Sequence, residues 1–416
     1  MLPLVKVYPK KLNRYKDLIS EELFLEIKQL AKELKHLRVN LVNSTPRGGG
    51  VARVLKNLVP LMNDVGIEAN WFTIPPKNNF FKITKEIHNA LQGKKYNFPC
   101  SHQRIYINHI KKIANMMKDM KADIWVINDP QPAGVIAYLP NLTPSICRIH
   151  LDTTAPNKKV WDFFSNFLQM YDKIILSSEE FVKPEIKEKS VIIQPAIDIL
   201  DLEDQFLDLK TAKQILENFG INTNKPLISQ ISRFDHWKDP IGVIKAHKIA
   251  KKKIPELQLV LAGFMLAQDD PEAEKIYKTV KKQTKKDKDI FAFADARKLG
   301  SLEQRVFINA VWTVSDIILQ KSVREGFGLT VAEAMWKQKP VIAGNVGGIK
   351  IQIKDGENGF LVDNNQQAGE RIIQLINNPK FAMEISARGR ESVKNNFLMP
   401  RLLRDHLKLY KQILNK

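Results

Sequence analysis

A chain of 416 residues with 44 % hydrophobic content is long enough for two or three domains with sizeable cores. Its two cysteines, Cys100 and Cys147, exclude a disulfide scaffold and a four-cysteine zinc site. The net charge of +20 raises nucleic-acid or anionic-membrane binding, but the lysines are spread along the chain, with clusters such as 251–253 and 281–286 that read as helix faces or ends.

In chain order, the start lacks the apolar core and small-residue cleavage site of a signal peptide. No run approaches 18 apolar residues, so the expectation is a soluble cytoplasmic protein. Residues 17–36 carry apolar side chains at three- and four-residue spacing, which predicts an amphipathic helix. A strand follows at 37–43, and the glycines 48–50 open a helix over 51–65. Apolar strand-like runs return at 69–74, 124–127, 145–149, 173–176 and 191–193, with helix-like stretches between most of them. Strands alternating with helices imply a mainly parallel sheet covered on both faces, with ligands outside the strands' carboxyl ends.

Residues 194–198 and the charged stretch 201–210 read as a connector, after which the rhythm restarts. Runs at 227–231, 257–262, 290–293, 316–319, 340–342 and 359–362 predict a second sheet. The fold class is therefore α/β with two doubly wound, Rossmann-like domains, 1–200 and 201–398. A last helix over 399–416 carries Leu402, Leu403, Leu407, Leu409 and Leu414 and needs a partner surface. No short repeat or low-complexity tract interrupts the pattern.

Chemistry concentrates at 325–333, where Glu325 precedes Gly326, Phe327 and Gly328, and Leu329 and Thr330 begin a helix that carries Glu333. The glycines let backbone approach a ligand closely, and a helix start suits a phosphate. One carboxylate would serve sugar hydroxyls and the other a ribose; the alternative is a plain strand–loop–helix connection with solvated glutamates. On a continuous helix, eight residues would separate the two by roughly 12 Å. A retaining glycosidase needs its carboxyls about 5–5.5 Å apart, so that chemistry is not expected. Arg233 and Lys238 follow the strand 227–231 and can neutralise a departing diphosphate, or be two surface cations. The triple glycine Gly48, Gly49, Gly50 is neither a Walker loop nor a dinucleotide fingerprint, and a tight turn explains it equally well. His150 and Asp152 follow a strand, and Asp129 lies at another strand's end before Pro130; each also has a purely structural reading. The D-x-D at Asp287 and Asp289 lies in a lysine-rich run before a strand, so it reads as a solvated loop and no metal is expected.

These blocks together resemble the retaining glycosyltransferases of family 4, which have the GT-B fold, and most closely the trehalose glycosyltransferring synthases. The resemblance rests on NSTPRGGGVA at 43–52, HNALQG at 88–93, NDPQPA at 128–133, His150 to Asp152, SRFDHWK at 232–238, Asp269 to Glu272, 322–336 and VGGI at 346–349. It implies an active site in the cleft between two domains, with the last helix packing back on the first. It implies Arg233, Lys238, Glu325 and His150 as catalytic groups. Gly49, Gly50, Gly326, Phe327, Gly328, Leu329, Thr330 and Glu333 would bind the donor, and Asn43, Asp129, Arg148 and Asp152 the acceptor. The resemblance further implies that no cofactor is required and that the substrates are UDP-, ADP- or GDP-glucose and free glucose. A phosphorylated acceptor would need cations such as Arg47, Arg53 or Arg148. Rival readings are a trehalose phosphorylase, a sugar-phosphate-accepting glucosyltransferase and a basic nucleic-acid-binding protein; no nucleic-acid or membrane partner is expected, and a homodimer is left open. The chain departs from the family pattern at Asp239, where glycine is common, and at 311–314.

Overall fold

A computed structural model describes residues 1–139, 141–201, 204–264 and 271–414. The side chains of the block Asp269 to Glu272 lie outside them. The chain forms two compact units, Met1–Ala196 with Phe397–Lys416, and Ile197–Asn396.

The first unit is built on a six-stranded parallel sheet, β1 Arg38–Asn43, β2 Glu68–Thr73, β3 Ile124–Asn128, β4 Ser145–Arg148, β5 Lys173–Leu176 and β6 Ser190–Ile192. Its strand order is β2-β1-β3-β4-β5-β6. A strand covered on both faces loses the alternation of a half-exposed one, which is why β3 is apolar along nearly its whole length and buried at every position. Leu4 adds an antiparallel bridge to Phe72 on the edge strand β2, a pairing with no counterpart in the apolar pattern.

The predicted helix over 17–36 begins later, as Glu21–Glu33, because the Ser20 hydroxyl accepts from the Leu23 N–H at 3.2 Å and fixes the start there. The last helix, Met399–Leu414, lies against the helices Glu21–Glu33 and Gly49–Asp64 and buries Leu402, Leu403, Leu407 and Leu409. Leu414, expected in the same stripe, is exposed at the fraying end. Arg401 fixes the helix by donating to the Gln194 and Pro195 carbonyls at 2.9 and 2.8 Å. Arg404 and Lys408 pair with Glu26 on the helix beneath.

The second unit repeats the plan with β7 Leu227–Ile231, β8 Gln258–Ala262, β9 Ile290–Phe293, β10 Ile317–Gln320, β11 Val341–Gly344 and β12 Phe360–Val362. The order is β12-β11-β10-β7-β8-β9, again all parallel. In each sheet the winding reverses once, between β1 and β3 and between β7 and β10. Loops leaving neighbouring strands diverge at such a point and open a crevice at the carboxyl ends. Two pairs of loops thereby become candidates on topology alone. No helix among the described residues is long and apolar enough to cross a membrane.

Candidate active site

In the second unit, the candidate residues gather on the loops after β7 and β10. Asp235 accepts from the Lys238 backbone N–H at 3.1 Å, which closes the short turn His236–Lys238. Its other oxygen pairs with Arg233 at 2.9 Å, holding a half-exposed guanidinium above the strand end. Lys238 reaches across to the Glu325 carboxylate, which also accepts from the Ser322 hydroxyl at 3.1 Å. Gln230 locks the two loops together. Its amide donates to the Lys238 carbonyl at 2.8 Å and its oxygen accepts from the Lys321 N–H at 2.9 Å.

Asp239, where the chain departs from the family pattern, offsets a neighbouring positive charge. It sits in the left-handed region at φ 44°, which Asp tolerates better than most residues. Its carboxylate caps the helix Pro240–Lys251 through the Gly242 N–H at 2.9 Å and pairs with Lys321 at 2.5 Å. Each of the three cations here, Arg233, Lys238 and Lys321, therefore already has a carboxylate.

The turn 325–328 runs into the helix Leu329–Trp336, with Gly328 at φ 86° as its cap. Gly348 backs the turn so closely that a Cβ there would stand 2.3 Å from the Gly326 carbonyl oxygen. Gly326, Phe327 and Gly328 are buried, whereas Leu329 and Thr330 keep surface at the helix start. Glu333 is completely buried, so the helix does not present it as it presents those two. Lys337, one turn on, is pushed down to about 8 by burial, with Asp204 and Glu333 pulling the other way.

In the first unit the residues brought together are Asn128, Asp129 and His150, at the ends of the adjacent strands β3 and β4. Asp129 has φ 67° and ψ 171°, a conformation that is essentially glycine's alone and costs about 1–3 kcal/mol. Its N–H donates to the Arg148 carbonyl at 2.8 Å, and its Oδ1 accepts from the His150 N–H at 2.9 Å. Burial pushes its carboxyl up to about 7, against the pull of the His150 N–H and the Arg148 charge.

The Asn128 amide donates to the Val42 carbonyl at 3.2 Å, which leaves its oxygen to accept from His150 Nε2 at 3.1 Å. This network assigns the proton to Nε2 and a free lone pair to Nδ1. Burial, with the Arg148 charge, holds the imidazole neutral, well below its ordinary range. The loop after β1 lies on the other side of the reversal. Gly48 and Gly49, at φ 77° and 79°, start the helix Gly49–Asp64, and all of 45–50 is exposed.

Three of the expected acceptor residues already have partners within the first unit. Arg148 turns away from the strand's end: its guanidinium donates to His406 Nε2 at 2.6 Å and to the Ile193 carbonyl at 3.4 Å, leaving it 3 % exposed. Asn43 is buried, accepting from Trp71 Nε1 at 2.7 Å and donating to the Thr45 carbonyl at 2.8 Å. Asp152 is buried as a turn residue, accepting from the Thr154 N–H and hydroxyl at 2.9 and 2.5 Å. Asp287 and Asp289 lie in the partly exposed turn before β9, where both pair with Lys251, at 2.8 and 2.6 Å. Asn128, Asp235 and Ser322 lie inside the quoted blocks, where no role was assigned to them, and Lys321 lies just before one.

Residues 41–183 match the family model described as trehalose synthase, N-terminal domain, and residues 212–392 the model described as glycosyl transferases group 1. A trehalose synthase of Pyrococcus horikoshii is 40 % identical over 98 % of this chain and 96 % of its own length. A trehalose phosphorylase of Pleurotus pulmonarius is 27 % identical over 86 % of this chain but only 55 % of its own. Among solved structures, sucrose-phosphate synthase from Thermosynechococcus elongatus superposes with a TM-score of 0.70 at 16 % identity, covering 91 % of this chain and all of its own. Anabaena HepE in complex with UDP-glucose gives 0.65 at 16 % identity, over 91 and 99 % of the two chains. The fold is GT-B.

Proposed function

Because the chain belongs to the trehalose synthase family of glycosyltransferases, we propose that it makes trehalose by moving glucose, with retention, from a nucleoside-diphosphate glucose to free glucose. The observation that carries this reading is the cluster of Arg233, Lys238 and Glu325 beside a glycine-capped helix start, at the winding reversal of the second sheet. Negative charge develops on the leaving diphosphate, and preorganised cations there lower the barrier most.

In this mechanism the diphosphate takes Arg233 and Lys238 from their carboxylates. Glu325, released from Lys238, turns to the hydroxyls of the transferred glucose. The bond from the glucose anomeric carbon to the phosphate oxygen breaks, and the acceptor oxygen bonds to the same face. The departing phosphate oxygen takes the acceptor's proton, so no protein nucleophile is needed and the protein acts by positioning and charge. His150, neutral and oriented by Asn128, hydrogen-bonds the donor glucose, and Asp129 holds the acceptor. Glu333 would meet the ribose only after the groups that cover it give way. Cations and helix amides meet the diphosphate, so no metal is required.

Free glucose is favoured over a phosphorylated acceptor by the NSTPRGGGVA, HNALQG and NDPQPA blocks, and Arg148, one of the three cations considered, is committed to His406. The phosphorylase reading rests on a more distant and much longer relative. The test is a product assay crossing UDP-, ADP- and GDP-glucose with glucose, glucose 6-phosphate and fructose, repeated in EDTA. Trehalose from glucose in EDTA is the expected result. Product from glucose 6-phosphate alone, or strict dependence on inorganic phosphate without a nucleotide, overturns the proposal.

A further inference from the structure

The helices Asn78–Leu91 and Cys100–Met117 of the first unit border a depression of about 680 Å³. Lys77, Asn108, His109, Lys111, Lys112 and Asn115 line it, and no lining residue is acidic. Among the described residues none of these lysines has a carboxylate partner; Lys111 lies 5.5 Å from the Tyr138 ring. Exposed lysines on a helix are ordinary. His109 is not.

His109 is only 7 % exposed, packs on the Phe80 ring at 4.2 Å between centroids, and has no well-formed hydrogen bond at either ring nitrogen, the Pro75 carbonyl being a weak contact at most. A buried polar group left without a partner costs about 1–3 kcal/mol. Folded chains rarely keep such a group unless something else meets it. Lys77 also lies at the start of the helix Asn78–Leu91, which has no side-chain cap, so the positive end of that helix dipole adds to the lysine charges. The volume suits a small molecule and not merely an ion.

We propose that this depression binds a small phosphorylated ligand, its oxyanion met by Lys77, Lys111 and Lys112, by the Asn108 and Asn115 amides, and by the His109 imidazole. Rotation of the ring turns a nitrogen to the ligand. Burial first, then Lys77 and Lys112, now hold His109 below its ordinary range, with the Pro75 carbonyl opposing them. A bound dianion reverses the local field, so the imidazole takes up a proton and binding tightens as pH falls.

The test follows the His109 ring signal by NMR in the full-length chain, assigned through His109→Gln. Inorganic phosphate and glycerol 3-phosphate are titrated against chloride at matched ionic strength. The expected result is a saturable shift of this signal, with its titration midpoint moved up by about one pH unit. The shift is lost in Lys77→Gln/Lys112→Gln, whose side chains are exposed and whose loss leaves the fold intact. Tighter binding of glycerol 3-phosphate identifies an organic phosphate as the ligand, and equal binding identifies phosphate itself. A non-saturating response, the same response in chloride, or an unchanged response in the double variant overturns the proposal. Because the readout sits at His109, phosphate binding at Arg233 and Lys238 does not mimic it.

Discussion

Arg148 donates to Nε2 of His406 at 2.6 Å, tying β4 to a helix 258 residues later. Since a guanidinium only donates, His406 must be neutral with its proton on Nδ1, which can then donate to the Tyr410 hydroxyl at 3.1 Å. Arg148→Lys keeps the charge and loses the planar fork, so it should destabilise the protein by about 1–3 kcal/mol in denaturant titration. The acceptor KM should stay unchanged. A raised KM with full stability would return Arg148 to the acceptor site.

The same pair makes stability fall in mild acid. Burial, Arg148 and Arg401 hold His406 well below its ordinary 6.5, so the unfolded chain binds the proton first. Its contribution is complete above 6.5 and is lost as pH falls below it, at up to ~1.4 kcal/mol per pH unit. His150 adds a second group of the same sign. His406→Gln, which offers Arg148 an amide oxygen and cannot titrate, should flatten the slope of stability against pH by about one proton.

Asp129 should separate function from stability. Its φ and ψ suit glycine, so Asp129→Gly relieves backbone strain while losing one hydrogen bond, and Asp129→Ala keeps the strain. The glycine variant should be the more stable of the two by about 1–2 kcal/mol in denaturant titration, and both should lose activity. Its carboxyl, raised from 3.8 to about 7, ionises across neutrality, so kcat/KM should rise through that range. Asp129→Asn should remove that limb of the profile. A profile unchanged in Asp129→Asn would remove it from the reaction.

Arg233→Ala or Lys238→Ala should lower kcat by about 10²–10³-fold, the scale of losing one oxyanion donor. Lys238→Ala also leaves Glu325 with Ser322 alone, so Lys238→Ala/Glu325→Ala should cost less than the two single changes added. Additive losses would show that the two act independently. Unchanged kinetics in folded Arg233→Ala would end the diphosphate reading.

Asp239→Ala removes a helix cap and places alanine at φ 44°, which should cost about 1–2 kcal/mol by thermal or chemical denaturation. Asp239→Asn keeps the cap and tolerates the backbone, so it isolates the Lys321 contact; full stability in the alanine variant would deny the cap its role.

Most strands were readable because they run largely buried through a parallel sheet, as at β5, where the expected run 173–176 and the observed strand coincide. The loops at Asp129, Lys238 and Glu325 were readable because strand ends in this class place ligands. What the chain pattern hid was long-range pairing. Nothing local to Arg148 announces His406, and nothing local to Lys321 announces Asp239. The left-handed backbone at Asp129 and Asp239 was hidden too, since aspartate before proline signals a turn without specifying its φ.

The first unit is closed by the segment Phe397–Lys416, which is made after the whole of the second unit. On the ribosome, residues 1–196 emerge before residues 397–414 and cannot bury Arg148 against His406 until those have followed, whereas Ile197–Asn396 is by then already complete as a contiguous stretch. Domains that fold during synthesis normally do so from the amino terminus. Here the second unit can reach its native state while the first still waits, with its apolar helix-docking surface exposed for the whole interval. A premature stop near residue 397 would therefore release a chain whose carboxyl-terminal half is sound and whose amino-terminal half is not.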